Sequence, residues 1–374
     1  MNMSTSFDEG FGIGMLAIMA VVIVALILVH TWVTSRNRAN PATEGFSQKL
    51  PTQGTEDDDR LVNYYWLASY NTCCEGAYND GKVSIDQMKR VLQQGARFVD
   101  FAIYTMPNGC DGSGMVDEPA VAGSASTSDQ TIGTTNCLPV SRVMSELAST
   151  AFSAGQVPRP KEPLFIHLRL RTKHENTLTF LGDSIRRNFG GRLLPANKYG
   201  GSGANGPATV SILNTPLAEL QGKCIVILES DNRNWTSNRA LADVVNIAQG
   251  AGEPFFQSIS APIQRVSVSK HTPDTNMERL SLITPTTESG DGPVSYPFGP
   301  NMLVGAQFIA MPFQINNQNT QAAKEFFNKH SSGHVLKPPP LLQKIVKVPA
   351  PTPQNPDLSY AKRTKSSPYY SFSV

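Results

Sequence analysis

From residue 61 to about residue 342, short apolar runs alternate with segments whose apolar residues recur at helical spacing. Residues 98–104 (FVDFAIY), 164–170 (LFIHLRL) and 224–228 (CIVIL) read as buried strands, and residues 303–313 contain another. Residues 85–94, 140–152, 177–189 and 322–329 carry helical periodicity. Parallel strands need helical crossovers, so this alternation predicts an α/β fold, a (β/α)8 TIM barrel over residues 61–342. Two stretches break the rhythm. Residues 107–137 and 199–208 are rich in Gly, Ser, Thr and Ala, and read as long surface loops.

The flanks differ from the barrel segment. After a polar segment, residues 1–10, the stretch from Phe11 to Val29 runs for 19 residues without a charge. A helix rises about 1.5 Å per residue, so ~20 residues cross a ~30 Å hydrocarbon core. Trp32 stands where an indole would sit at the interface, and residues 11–33 are expected to form a single transmembrane helix in contact with a lipid bilayer. A cleaved signal peptide is the competing reading. The run exceeds a usual signal core, and Asp8 and Glu9 precede it. Arg36 and Arg38 follow the span, which places the large domain on the cytosolic side by the positive-inside tendency. Residues 34–60 read as a linker, with Pro41, Pro51, Gly54 and the acidic run 56–59. Beyond the barrel, the prolines Pro338, Pro339 and Pro340 lead into a tail, residues 343–374. It is Pro-rich, then basic and aromatic, with Lys362, Arg363, Tyr369 and Tyr370. Such a segment cannot bury a core. It is expected to be an extended arm that lies on a partner, or disordered.

Charged residues make up 17% of the chain, below the ~25% of ordinary domains, and the formal net charge is +2. No strong global field would attract nucleic acid, and none is expected as a partner. The five cysteines are Cys73, Cys74, Cys110, Cys137 and Cys224. An odd count without CxxC spacing speaks against a disulfide framework and a zinc site. Reduced thiols are expected, with one bridge, Cys110 to Cys137, left open. The sequons at Asn2 and Asn234 are short patterns that arise often by chance.

Six landmarks in fixed order resemble the X and Y regions of phosphoinositide-specific phospholipase C. Ser69-Tyr70-Asn71-Thr72 stands where that family has Ser-His-Asn-Thr. GARFVDFAIY at residues 95–104 is similar to the strand GCRCVELDCW, and EPLFIHLRLRT at residues 162–172 is similar to the following strand. PLAELQGKCIVIL at 216–228, GAQFIAMPFQ at 305–314 and GHVLKP at 333–338 complete the series. Their order and spacing carry the resemblance, which covers roughly residues 61–342.

The resemblance implies a chemistry and puts it in doubt. Members of the family use two histidines as general base and acid, and a calcium ion that polarises the phosphate. Carried over residue by residue, the first histidine is Tyr70, whose ordinary pKa of ~10 makes it a poor base. The second would fall between residues 120 and 140, where there is no histidine. Among the implied calcium ligands, Asn71 is kept, a Glu is shortened to Asp100, an Asp becomes Ala102 and a Glu becomes Arg169. Calcium needs several oxygens and accumulated negative charge, which a guanidinium opposes. Strand alternation puts Phe98, Asp100 and Ala102 on one face, and His167, Arg169 and Arg171 on one face of the next strand. If both faces point into the barrel, a salt bridge between Asp100 and Arg169 replaces the metal; otherwise Arg169 reaches solvent at the barrel mouth. No cofactor is expected. The segment MERLSLITP at 277–285 resembles the family's LSRIYP segment, with Leu282 for Arg and Thr284 for Tyr. His167, His174, His330 and His334 read as structural histidines rather than ligands.

These readings predict a catalytically inactive barrel tethered to a membrane. Such a part suits a spacer between an internal membrane and a protein shell: a minor capsid or virion membrane protein of a large DNA virus. Its partners would be other capsid or membrane proteins, met through barrel loops and tail. Two alternatives differ in class. One is a pseudo-phospholipase that binds phosphoinositide headgroups through Arg169, Arg171 and Lys173. The other is a calcium-independent phosphodiesterase using His167 with Asp100.

Overall fold

The computed structural model describes residues 59–106, 108–110, 118–124, 131–199, 210–231, 234–249, 256–261, 273–285, 296–344 and 362–373. Phe11, Val29 and Trp32, with the expected transmembrane segment and the linker up to residue 58, lie outside them. Among the described residues no helix is long and apolar enough to cross a membrane.

Among the described residues, eight strands run parallel in one sheet: β1 (Tyr64–Ser69), β2 (Phe98–Met106), β3 (Leu164–Leu170), β4 (Cys224–Glu229), β5 (Ile247–Gln249), β6 (Phe256–Ala261), β7 (Leu280–Pro285) and β8 (Phe308–Met311). The order is that of a βα barrel. Consecutive strands pair from β1 to β5 and from β6 to β8, and β8 returns to pair with β1. Between β5 and β6 no ladder is present among the described residues. Strands β1 and β3 are buried along their whole length, as a parallel sheet covered on both faces requires.

Four longer helices cover the sheet: α1 (Ile85–Gln93), α2 (Val140–Ala151), α3 (Glu175–Phe189) and α4 (Gln318–Lys329). Helix α1 starts where Ser84 Oγ accepts from Gln87 N at 3.0 Å, and α4 where Asn317 Oδ1 accepts from Thr320 N at 3.0 Å. The described connections on the other half of the barrel hold only short helices, such as Arg239–Ala242, Pro273–Glu278 and Phe298–Met302. Helix α3 lies close on Arg239–Ala242 at Gly182, where a Cβ would meet the Ala240 carbonyl oxygen at 2.3 Å.

Alternation along the strands builds the barrel interior in layers. Trp66, Phe98, Phe165 and Phe308 pack ring against ring, with centroids 4.8 Å apart for Trp66 and Phe165 and 4.7 Å for Phe98 and Phe308. This aromatic plug closes the lower barrel. Above it, toward the carboxyl ends of the strands, the interior becomes charged.

Both chain connections meet at the lower pole, where the strands begin. Arg60 Nη1 donates to Gln343 Oε1 at 3.2 Å, and Gln343 N donates to Asn63 Oδ1 at 2.8 Å. The segment leading from the linker and the segment leading to the tail therefore share the pole opposite the barrel mouth.

Three expectations are corrected, and the Cys110–Cys137 bridge, an open alternative in the sequence, is formed. Residues 107–137 are not only surface loop. Glu118–Ala122 is a buried strand that pairs antiparallel with β2, Ala102 opposite Ala122, and then with Leu138–Pro139. Cys110 and Cys137 form a disulfide, which ties that hairpin to the residues after β2, while Cys73, Cys74 and Cys224 are buried free thiols. Pro338, Pro339 and Pro340 are not part of a free arm. They form the barrel's closing turn, with a 3-10 helix at Pro339–Leu341, where Leu341 N donates to Pro338 O at 2.8 Å and the Leu341 side chain is buried. The tail itself is not wholly extended. Residues Lys344–Val374 form a separate unit, in which Thr364–Ser367 and Tyr370–Ser373 pair as a β-hairpin.

Candidate functional site

The charged layer lies at the carboxyl ends of β1, β2, β3 and β4, the end where βα barrels carry their chemistry. Strand β1 ends at Ser69, and the chain turns through Tyr70 and Asn71. Asn71 holds a left-handed backbone, φ 47°, which Asn tolerates better than most residues. Two bonds fix this turn on β2: Thr72 N donates to Asp100 O at 2.9 Å, and Asp100 N donates to Thr72 Oγ1 at 2.8 Å.

Asp100 is the centre of the site and is almost fully buried. His167 stands opposite it in the β2–β3 register, and Arg169 stands opposite Ala102. Oδ1 of Asp100 meets His167 Nδ1 at 2.7 Å and accepts from Arg169 Nε at 3.0 Å. Oδ2 accepts from Arg169 Nη2 at 2.9 Å and from Asn71 N at 2.8 Å. A carboxylate has about four acceptor positions, and here four are taken. Arg169 Nη2 also donates to Asn71 Oδ1, and the guanidinium lies 4.5 Å over the Tyr70 ring.

The electrostatics follow from this packing. Burial alone would push the Asp100 carboxyl up, but the Arg169 guanidinium and the His167 hydrogen bond outweigh it and hold the group well below the carboxylate range. Burial opposes the Arg169 charge, but the Asp100 carboxylate outweighs it and raises the guanidinium well above its ordinary value. The Tyr70 phenol is pushed up to about 12, chiefly by burial. Even less of it is phenolate at neutral pH here than in water, so little of it can accept a proton.

A second pair lies beside the first. Arg171 Nη2 donates to Glu229 Oε1 at 3.2 Å, and Glu229 Oε2 is 3.8 Å from His167 Nε2. Glu229 ends β4 directly opposite Arg169 in register. Sequence reasoning stopped the strand at residue 228 and missed it. Its signal was a single charge closing an apolar run, and its meaning depends on a pairing between distant strands.

The sequence-derived positions thus divide. Asn71, Asp100 and Arg169 come together within one hydrogen-bonded set, and the Tyr70 ring lies against the Arg169 guanidinium. Ala102 sits beside them, supplies no donor atom, and packs with Tyr104, Ala120, Ala122 and Cys137. Leu282 is buried on β7 and faces Phe308 in register, inside the apolar core. His330 and His334 lie elsewhere: His330 Nδ1 meets Phe326 O at 2.8 Å, and His334 packs on Trp66 at 4.9 Å. The tail residues Lys362, Arg363, Tyr369 and Tyr370 belong to the other unit.

Calcium, which the resemblance of the sequence motifs implies, finds no suitable shell among these residues. The Asp100 oxygens are filled, Asn71 Oδ1 is taken by Arg169, Ala102 offers nothing, and a guanidinium occupies the centre. Among the described residues no group of three or more His, Cys, Asp or Glu side chains is placed to hold a metal.

The architecture is of the phospholipase-C-like α/β barrel class, and comparison with solved structures places it there. PLC21 of L. pealei matches with a TM-score of 0.57 and 16% identity over 77% of this chain. PLC21 of S. officinalis matches with a TM-score of 0.55 and 18% identity, also over 77% of this chain. The likeness covers 38% of each of those proteins and is a likeness of fold. No family model matches the chain, and no curated protein does.

Proposed function

We propose that this chain is a catalytically silent phospholipase-C-like barrel that serves as a structural link. It would be tethered to a membrane through residues 11–33, and it would meet the proteins of a shell through its barrel loops and tail. A minor capsid or membrane-linked virion protein of a large DNA virus is the role that combines these parts. The observation that carries catalytic silence is the saturation of Asp100 by Arg169, His167 and Asn71. A bidentate guanidinium supplies positive charge without an open coordination position, so it cannot bind and polarise a phosphate as a metal does. The tether draws on the 19-residue uncharged run.

The test is hydrolysis of phosphatidylinositol and of its bisphosphate by the full chain, with and without calcium. No release above a protein-free control is expected in either case. Turnover without calcium would favour the His167–Asp100 reading, and calcium-dependent turnover would defeat the proposal. Retention of the chain in membranes after alkaline carbonate washing tests the tether separately. The headgroup-binding alternative has less support, because Arg169 and Arg171 are both already paired with carboxylates. Binding to vesicles that contain phosphatidylinositol bisphosphate, lost on Lys173→Glu, is the result that would revive it.

A further inference from the structure

The hairpin at the end of the tail has two unlike faces. Cross-strand partners share a face of a ladder. Lys365 pairs with Phe372 and Ser367 with Tyr370 on one side; Thr364 pairs with Ser373 and Ser366 with Ser371 on the other. One face is basic and aromatic. The other presents only hydroxyls. The turn between the strands is closed by Ser367 Oγ, which accepts from Tyr369 N at 3.2 Å and Tyr370 N at 3.3 Å, with Pro368 between.

The aromatic face is uncovered. Tyr370 is 61% exposed and Phe372 50%, with their rings 5.7 Å apart, and Tyr369, in the turn beside them, is 94% exposed. An isolated two-stranded hairpin is marginal in water and needs a surface to pack on. The charge selects that surface. Residues 362–373 contain Lys362, Arg363 and Lys365 and no acid, and the preceding tail adds Lys344 and Lys347 against Asp357 alone.

We infer that the aromatic face of the hairpin docks on an anionic lipid surface, that of the membrane holding the anchor. The inference rests on the tethered reading above. Tyrosine rings with polar ends favour the headgroup level of a bilayer, and juxtamembrane basic residues are drawn to anionic leaflets. The chain's course agrees. The tail leaves the barrel at the pole where Arg60 and Gln343 bond, the same pole that receives the linker from the anchor. The barrel loops and the segment between barrel and hairpin are left for protein contacts, and the barrel mouth opens at the pole opposite the linker.

The test uses the full chain carrying Tyr369→Cys, labelled with an environment-sensitive dye. The native free thiols are buried and the remaining two cysteines are bridged, so the label goes to the introduced site. The chain is reconstituted in phosphatidylcholine vesicles with and without phosphatidylserine. A blue-shifted emission, quenched by brominated acyl chains and seen with phosphatidylserine, is expected. It is lost when Tyr370→Ser and Phe372→Ser are added, and lost when Lys365→Glu is added. Aqueous emission in both vesicles, or equal insertion without anionic lipid, overturns the inference. An alkaline wash separates the two readings. If the chain washes off, the tether fails, and the same labelled chain added to preformed vesicles still decides the hairpin.

Discussion

The barrel buries positive charge at both of its poles, and it satisfies that charge in opposite ways. At the mouth, Arg169 and Arg171 meet carboxylates, Asp100 and Glu229. At the lower pole, Arg97 donates to the carbonyls of Ala151, Glu162 and Pro163, and Lys337 donates to the carbonyl of Asn276 at 3.3 Å. The consequence is seen in proton affinity. Pairing overcomes burial at the mouth and raises Arg169, whereas burial wins below, pulling Arg97 down to about 10 and Lys337 well below its ordinary value. The lower cations satisfy backbone carbonyls, of two helices and of the residues before β3, and their charge is incidental to that task. The upper ones form a fixed counter-charge inside the part of the fold where chemistry would be done.

If this contrast is right, removing charge at the two poles has unequal effects. Arg169→Met strands a buried carboxylate and should destabilise the chain by about 3–5 kcal/mol in urea unfolding. Adding Asp100→Leu should recover much of that loss, because a buried pair removed together leaves no orphan charge. Acid titration sharpens the point. Asp100 has a depressed folded pKa, so its contribution is full above the unfolded value of ~4 and is lost as pH falls through the folded one. The Arg169→Met variant should lack that acid-dependent loss.

A smaller effect is expected at the disulfide beside the mouth. Cys110→Ser with Cys137→Ser opens a loop of sequence separation 27, worth about 3.5 kcal/mol by the chain-entropy relation. Reduction should loosen the Glu118–Ala122 strand first, which amide exchange would report.

The smallest effect, with no large loss, belongs to the lower pole. In Lys337→Met the Asn276 carbonyl keeps its bond from Gln307 Nε2 at 2.8 Å, so stability should change by no more than about 1 kcal/mol. The pH signature is more telling. Lys337 has a lowered folded pKa, so the unfolded chain holds more protons between that value and ~10. Stability of the natural chain should rise with pH across that window, and the variant should lose the rise. A destabilisation there as large as that of Arg169→Met would erase the distinction between the poles.

The difference between strands read well and strands missed has a physical cause. Residues 164–170 were legible to the residue, because a strand buried on both faces must be apolar nearly throughout. Helix α2 was legible because its buried positions, Val140, Val143, Met144, Leu147 and Ala151, repeat at helical spacing. The strand Glu118–Ala122 was not. It is short, contains Pro119 and lies among small residues; its burial comes from pairing with β2 rather than from its own hydrophobicity. The terminal hairpin was hidden for a different reason: its first strand, Thr364–Ser367, has no apolar residue, and the alternation of Tyr370–Ser373 is too short to mark a strand alone. At the site, alternation was enough to face Asp100 toward Arg169. Glu229 needed the register of a third strand, which no local pattern carries.

Calcium titration of the purified chain, followed by calorimetry, tests the mouth most directly. The natural chain should give no binding heat and no thermal stabilisation at millimolar calcium. Arg169→Glu with Ala102→Asp should create the affinity. Saturable calcium binding by the natural chain, weakened by Asp100→Ala, would contradict the account.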